Sequence, residues 1–183
     1  MPRVPVHDVD TCPEASREAR KALEGKFGKV VNIFGEMAHA PALLALFTNA
    51  EAAIAEHTSL EPHVRAAIHL AVANLNECDY CQAAYTIEAI RAGFTQEQTV
   101  KVRRGDVDFD PALAALLSVV RQAAERKGYV TDDAWQAALD AGWSERQLLE
   151  AFADAIRTLL TNYFNHFVGT EMDLPTAPDL EAA

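Results

Sequence analysis

Basic clusters, long apolar runs and strand-like alternation are all missing from this chain. Lys and Arg total 16 against 27 Asp and Glu, a formal charge of −11 with His neutral, and no basic run appears anywhere. A surface of that sign repels phosphate backbones and anionic lipid, so neither nucleic acid nor a membrane is an expected partner. The longest apolar stretch, Ala40 to Phe47, falls well short of the roughly 18 residues that a membrane-spanning helix needs. Met1-Pro2-Arg3-Val4-Pro5-Val6-His7-Asp8 contains no apolar leader core, and the cytoplasm is the expected location. Cysteine is scarce, with 3 in 183 residues, which cannot form an all-paired secreted framework.

What is present is ordinary globular material. Half the residues are hydrophobic (50%) and 23% are charged, enough to bury a substantial core, and no linker or low-complexity segment divides the chain. One domain is expected over residues 1–183. Gly and Pro, 8 of each, fall mostly between Ala-rich amphipathic stretches. With no segment alternating at period two, the fold class is all-α, with about seven to nine helices.

The punctuation divides those helices. Residues 1–13, with Pro2, Pro5 and Pro13, are expected to be irregular. Helices are expected over Glu14–Phe27, Val30–Ala38 and Pro41–His57, and over Pro62–Leu75 with Ser59 or Glu61 near its cap. Asn76-Glu77-Cys78-Asp79 breaks the last of these, and the next runs from about Cys78 to Gly93. Thr95 caps Gln96–Arg103, Asp110-Pro111 opens a helix to about Lys127, and Thr131 opens one to Asp140. Ser144 starts a final long helix to about Val168, and the tail 174–183 is expected to be extended or frayed.

Cys78-Asp79-Tyr80-Cys81 carries the sharpest chemical signal, at a predicted loop-to-helix junction. A thiolate there is stabilised by the unpaired N–H groups of the first turn. Two intervening residues bring both sulfurs within disulfide reach, so one can attack and the other resolve. Asp79 works against this, since a neighbouring carboxylate raises thiol pKa values. The same two cysteines also read as small buried hydrophobes. A zinc site is not expected, because one CxxC supplies only two of four ligands and no second motif follows.

The segment Leu60–Tyr85, Gly93-Phe94-Thr95, and the stretch from Asn162-Tyr163-Phe164-Asn165-His166 through Asp173-Leu174-Pro175 together resemble the carboxymuconolactone decarboxylase / alkylhydroperoxidase D-like family, in its peroxidase-related branch. The resemblance spans about Phe34 to Pro175. It implies an alkylhydroperoxidase D-like helical bundle and a homo-oligomer (dimer, trimer or hexamer). It also implies thiol-dependent reduction of a small-molecule peroxide or disulfide, with no cofactor, no metal and an external thiol reductant. In the best-understood members, a glutamate twelve residues before the first cysteine and a histidine four after the second relay the proton. The second cysteine attacks and the first closes the disulfide. Here those positions hold Ala66 and Tyr85. Without a base, a thiol near its reference pKa of about 8.5 is only a few per cent thiolate at neutral pH.

His69, three residues beyond Ala66, is a candidate replacement base, with Tyr85 as hydrogen-bond donor. The same residues also read as a satisfied core histidine and a core aromatic. His63 is expected to be solvated, Tyr80 to pack, and Cys12 to be a free surface thiol. Asn162, Asn165 and His166 could line a pocket or subunit contact, or make interhelical hydrogen bonds. Glu150 and Asp154, four apart, have the spacing of a metal-binding carboxylate pair, but no partner motif accompanies them. They are expected on a solvated or interface face.

Two functions stay open: a thiol peroxidase or disulfide oxidoreductase working through Cys78 and Cys81 with a departed relay, and a degenerate member acting as an oligomeric scaffold or small-molecule binder. The lactone-decarboxylating branch does not use a CxxC, so the pair counts against it.

Overall fold

The fold is built around one largely buried helix. In a computed structural model, which describes residues 2–182, the helices are α1 (Glu14–Phe27), α2 (Asn32–Met37), α3 (Pro41–His57), α4 (Pro62–Leu75), α5 (Asp79–Arg91), α6 (Gln96–Arg104), α7 (Pro111–Glu125), α8 (Asp132–Asp140) and α9 (Glu145–Val168). On α4, Ala66, Ala67, Ile68, Leu70, Ala71, Val72 and Ala73 are all wholly buried. A helix buried to this extent needs neighbours on most of its sides, and α5, α6, α7 and α9 supply them. The described residues form an all-α bundle with no strand.

The starts of these helices follow from local chemistry. Pro41, Pro62 and Pro111 occupy first-turn positions, where a missing N–H costs nothing. Thr95 and Ser144 form capping boxes with Gln98 and Gln147, and Asp110 and Thr131 accept from backbone N–H groups of their own first turns. Two boundaries differ from expectation. Helix α2 begins at Asn32. Helix α7 stops at Glu125 because Lys127 and Gly128 turn left-handed (φ 57° and 94°) and the Gly128 N–H returns to Ala123 O at 2.7 Å.

Both terminal segments lack helix yet are tied down. The Arg3 N–H donates to Val168 O at 2.7 Å and the His7 N–H to Gly35 O at 3.1 Å. Gly35 is required there, since a Cβ at that position would sit 2.7 Å from His7 O. Beyond α9, the segment from Thr170 runs without helix to a 3₁₀ turn at Leu180–Ala182, and Arg103 of α6 holds it through Pro178 O at 2.5 Å. Met1 and Ala183, part of the expected irregular ends, lie outside the described residues. No helix among the described residues is long and apolar enough to cross a membrane.

Candidate functional site

The turn between α4 and α5 sets the position of the thiol pair. The Glu77 N–H returns to Asn74 O (3.0 Å) and the Cys78 N–H to Ala73 O (3.0 Å), with Glu77 at φ 53°. This is a Schellman closure carrying glutamate at the left-handed position that usually takes glycine. Cys78 therefore ends one helix and caps the next. Its Sγ accepts the Cys81 backbone N–H at 3.4 Å, the bond that a serine or aspartate N-cap makes through oxygen.

Both cysteines are free, and both are buried, with Cys78 1% and Cys81 2% exposed. Asn165 of α9 stands over them, its Nδ2 donating to Cys81 Sγ at 3.1 Å and to Cys78 Sγ at 3.7 Å. The two thiols are electrostatically unlike. A hydrogen bond from the Cys81 side chain lowers the Cys78 pKa to about 7, helped by the Cys81 N–H, Asn165 and His166 against the opposing effect of burial. Burial pushes the Cys81 thiol well above the ordinary range, and the neighbouring Cys78 adds to it. Thus the first sulfur, at the helix start, is the one that ionises.

Behind Cys81 lies a polar chain whose direction can be worked out. The Thr161 hydroxyl donates to Thr158 O (2.8 Å), and Arg157 Nη1 donates to Tyr85 Oη (3.0 Å). The Tyr85 hydroxyl must therefore donate across its 3.0 Å contact to Thr161 Oγ1, which also accepts the Cys81 thiol at 3.8 Å. Burial holds the Tyr85 phenol far above its ordinary pKa, so it remains a donor. Arg157 Nη2 continues to His69 Nε2 at 2.5 Å. A guanidinium cannot accept a proton, so Arg157 separates His69 from the sulfurs as far as proton transfer through this chain is concerned.

His69, 1% exposed, sits in a buried charge network. Its Nδ1 lies 3.2 Å from Glu88 Oε1 and its Nε2 2.8 Å from Asp154 Oδ1. Arg65 grips Asp154 with two hydrogen bonds, 2.9 and 3.0 Å, and Arg157 Nε faces Glu51 at 3.3 Å. Burial pushes the Asp154 carboxyl up, but His69 and Arg65 outweigh it and hold it at about 2. Glu88 is likewise held low, burial being outweighed by His69 and Arg157. Two guanidinium groups and an imidazole thus face three carboxylates, the mutual pairing that buried charge requires.

The four candidate residues all gather in this region, Cys78 and Cys81 in direct contact, Tyr85 one hydroxyl removed, and His69 beyond Arg157. Other expectations are revised. Cys12 is buried, its thiol donating to Val9 O at 3.5 Å, and is not a surface thiol. Asp154 is wholly buried rather than solvated, while Glu150 accepts from Ser59 and Arg146. His63 is exposed, and Tyr80 donates to Asp173 at 2.6 Å, fastening the segment after α9 to the CxxC turn.

Sequence reasoning missed Glu88, Arg157 and Thr161, and did not connect Asn165 to the sulfurs. One signal was available. Asp154, Arg157, Thr158, Thr161, Asn162 and Asn165 recur at helical spacing, and all six are buried, while Leu149, Phe152, Ile156, Tyr163 and Phe167 of the same helix are exposed. Helix α9 is turned with its polar face inward, the reverse of an ordinary surface helix.

Comparison with known proteins agrees with this geometry. Residues 41–125 match the model of the carboxymuconolactone decarboxylase family. No curated protein matches the chain. Among solved structures, an uncharacterized peroxidase-related protein with an alkylhydroperoxidase AhpD core from Ralstonia eutropha JMP134 is similar at 20% identity and TM-score 0.84, over 94% of this chain and 92% of that one. A peroxidase-related protein from Silicibacter sp. TM1040 is similar at 14% identity and TM-score 0.80, over 93% and 91%. The debrominase Bmp8, in complex with 2,3,4-tribromopyrrole, is similar at 14% identity and TM-score 0.78, again over 93% and 91%.

Proposed function

We propose that the chain is a thiol-dependent peroxidase or disulfide oxidoreductase, since residues 41–125 match the model of the carboxymuconolactone decarboxylase family and the bundle around them holds two thiols at a helix start. Cys78 and Cys81 are its reacting pair. The observation that carries this reading is two free thiols meeting at the start of α5, with Cys78 Sγ accepting the Cys81 backbone N–H at 3.4 Å and Asn165 Nδ2 within reach of both, an arrangement that favours charge on Cys78.

The Cys78 thiolate attacks the terminal oxygen of a hydroperoxide, the O–O bond breaks, and the departing alkoxide takes a proton to leave as an alcohol. Cys78 is then a sulfenic acid. The Cys81 sulfur displaces its hydroxyl, which leaves as water with the Cys81 proton, and a disulfide forms. An external dithiol reduces the pair and becomes a disulfide in turn. With a disulfide substrate, Cys78 attacks sulfur instead and the first thiolate leaves. These roles reverse those that the family resemblance implies, and they suit a site whose relay positions hold Ala66 and Tyr85. Tyr85 and His69 act here as supports, Tyr85 by keeping Thr161 turned to Cys81 and His69 by anchoring Arg157.

The proposal includes a homo-oligomer, for which the exposed apolar stripe on α9 supplies a surface. The cytoplasm is the proposed setting, where a reducing thiol pool returns the pair to its active state. The burial of both sulfurs favours a second reading, a non-catalytic helical scaffold in which the cysteines only pack. Turnover assays separate the two. Wild type is expected to reduce a hydroperoxide with dithiol present, while Cys78→Ser loses turnover and Cys81→Ser stalls after one equivalent. One structural neighbour is a debrominase, so the substrate panel includes 2,3,4-tribromopyrrole. Equal inactivity of wild type and both variants on every substrate would leave the scaffold reading.

A further inference from the structure

Asn165 is placed on α9 where its side chain meets both reacting sulfurs at once. It is 4% exposed, and its amide nitrogen reaches Cys81 Sγ at 3.1 Å and Cys78 Sγ at 3.7 Å, while its Oδ1 is buried with no partner. An unpaired buried carbonyl oxygen has lost its hydration with nothing in exchange, and such atoms in a native site call for an explanation. Turning the amide over would give that oxygen a thiol proton, but it would also aim an acceptor at a sulfur carrying negative charge. The observed orientation suits an ionised sulfur and suits a neutral pair poorly. Its neighbour Asn162, wholly buried three residues earlier, accepts from Asn76 Nδ2 at 3.1 Å through its Oδ1, and its side chain also faces Cys81.

We infer that Asn165 is a catalytic residue of the thiol pair, its NH₂ group donating to whichever sulfur bears the negative charge as the pair cycles between thiolate and disulfide. This inference rests on the oxidoreductase reading of Cys78 and Cys81. Asn165 supplies no proton transfer. It stabilises charge on sulfur in a site where Arg157 blocks the route to His69. Because an amide does not itself titrate, this stabilisation follows the ionisation of the sulfur alone. The groups around Cys78 that do titrate or carry charge are the Cys81 thiol on α5 and His166 on α9, with the Tyr85 hydroxyl facing Cys81.

The test compares full-length wild type with Asn165→Ala and Asn165→Asp, following the rate of iodoacetamide alkylation at Cys78 against pH by peptide mass. Removing one charge-assisted donor is expected to raise the alkylation midpoint by about one pH unit in the Ala variant. It should rise further in the Asp variant, where an acceptor replaces the donor. In glutathione buffers, the dithiol–disulfide equilibrium should move toward the disulfide in the same order, by about tenfold for Ala, because the lost interaction favoured the reduced form. A purely structural role would lower the melting temperature and leave both midpoint and potential unmoved. That result in a folded variant overturns the inference.

Should both variants unfold, the wild-type side-chain amide signals of Asn165 decide by ¹⁵N–¹H NMR. They are expected to titrate with the midpoint of Cys78 alkylation, and signals that stay fixed through that range overturn the inference. Failure of wild type to form the Cys78–Cys81 disulfide under hydroperoxide would remove the oxidoreductase reading and the catalytic assignment with it. Disulfide formation with unshifted Asn165 variants would remove this inference alone.

Discussion

His69 and Glu88 meet 3.2 Å apart across α4 and α5, each one helical turn beyond Ala66 and Tyr85 respectively. The family resemblance implies a carboxylate at the position of Ala66 and an imidazole at that of Tyr85. This chain has the same two kinds of group on the same two helices, but exchanged between them, with Glu88 a turn further along α5 from the CxxC and His69 a turn nearer to it along α4. The shift brings the imidazole into contact with Asp154 as well and puts Arg157 between it and the thiols. A pair of this kind anchors charge, with Arg157 standing between its imidazole and the thiols.

If the network is an anchor, breaking it costs stability. Asp154→Asn leaves Arg65 and His69 without their shared carboxylate, and losing one partner of a buried pair typically costs about 3–5 kcal/mol. Urea unfolding near pH 7 reads this directly. The wild-type carboxyl is held at about 2, below its unfolded value of about 3.9. Its contribution is therefore complete above the unfolded value and disappears as pH falls through about 2. The gap between wild type and variant is expected to narrow over that acid window.

The asymmetry of the thiols has its own signature. Alkylation of Cys78 should rise with a midpoint of about 7, with Cys81 reacting only in more alkaline solution. The largest cause of the Cys78 shift is the hydrogen bond from the Cys81 side chain, so Cys81→Ala should move the Cys78 midpoint upward. Peptide-resolved mass spectrometry separates the two sites.

Helix α9 has 24 residues, about 36 Å of rod. Leu149, Phe152, Ile156, Tyr163 and Phe167 are exposed along it at spacings of three, four, seven and four. That is the seam of a helix pair. If this seam joins the proposed homo-oligomer, Ile156→Asp is expected to give monomer in light scattering where wild type gives a larger particle, while the far-ultraviolet circular dichroism stays unchanged. An unchanged particle mass would remove this face from the assembly.

Glu77 adopts φ 53°, a conformation that costs most side chains roughly 1–2 kcal/mol and glycine little. Glu77→Gly should raise stability by about 1 kcal/mol, or about 2–4 °C in thermal unfolding for a chain of this size. The alkylation midpoint of Cys78 should stay where it was, since the turn keeps its path.

Most of the fold was legible in the sequence because its boundaries are chemical. Pro41, Pro62 and Pro111 start helices by geometry, and Thr95, Asp110, Thr131 and Ser144 start them by capping. The CxxC was legible because its two cysteines are neighbours. The surroundings of those sulfurs were not, because they are assembled across long separations. His69 meets Asp154 85 residues away, and Cys81 meets Asn165 84 residues away. Amphipathicity also misled, since α9 buries its polar face and the natural reading of Asp154 put it in solvent. The polar stripe of α4 explains this inversion. Arg65 and His69, four residues apart on α4, face α9, and their burial needs Asp154 and Arg157 brought to them from that helix.

The central claim is that Cys78 and Cys81 interconvert between dithiol and disulfide, and one measurement addresses it without a turnover assay. The reduced chain is treated with one equivalent of hydroperoxide at neutral pH, quenched with an alkylating agent and mapped by peptide mass. The account predicts a single Cys78–Cys81 linkage that is two hydrogens lighter than the dithiol and is reversed by a dithiol reductant, with Cys12 left free. Recovery of Cys78 and Cys81 both unlinked, whether as intact thiols or as over-oxidised acids, would contradict it.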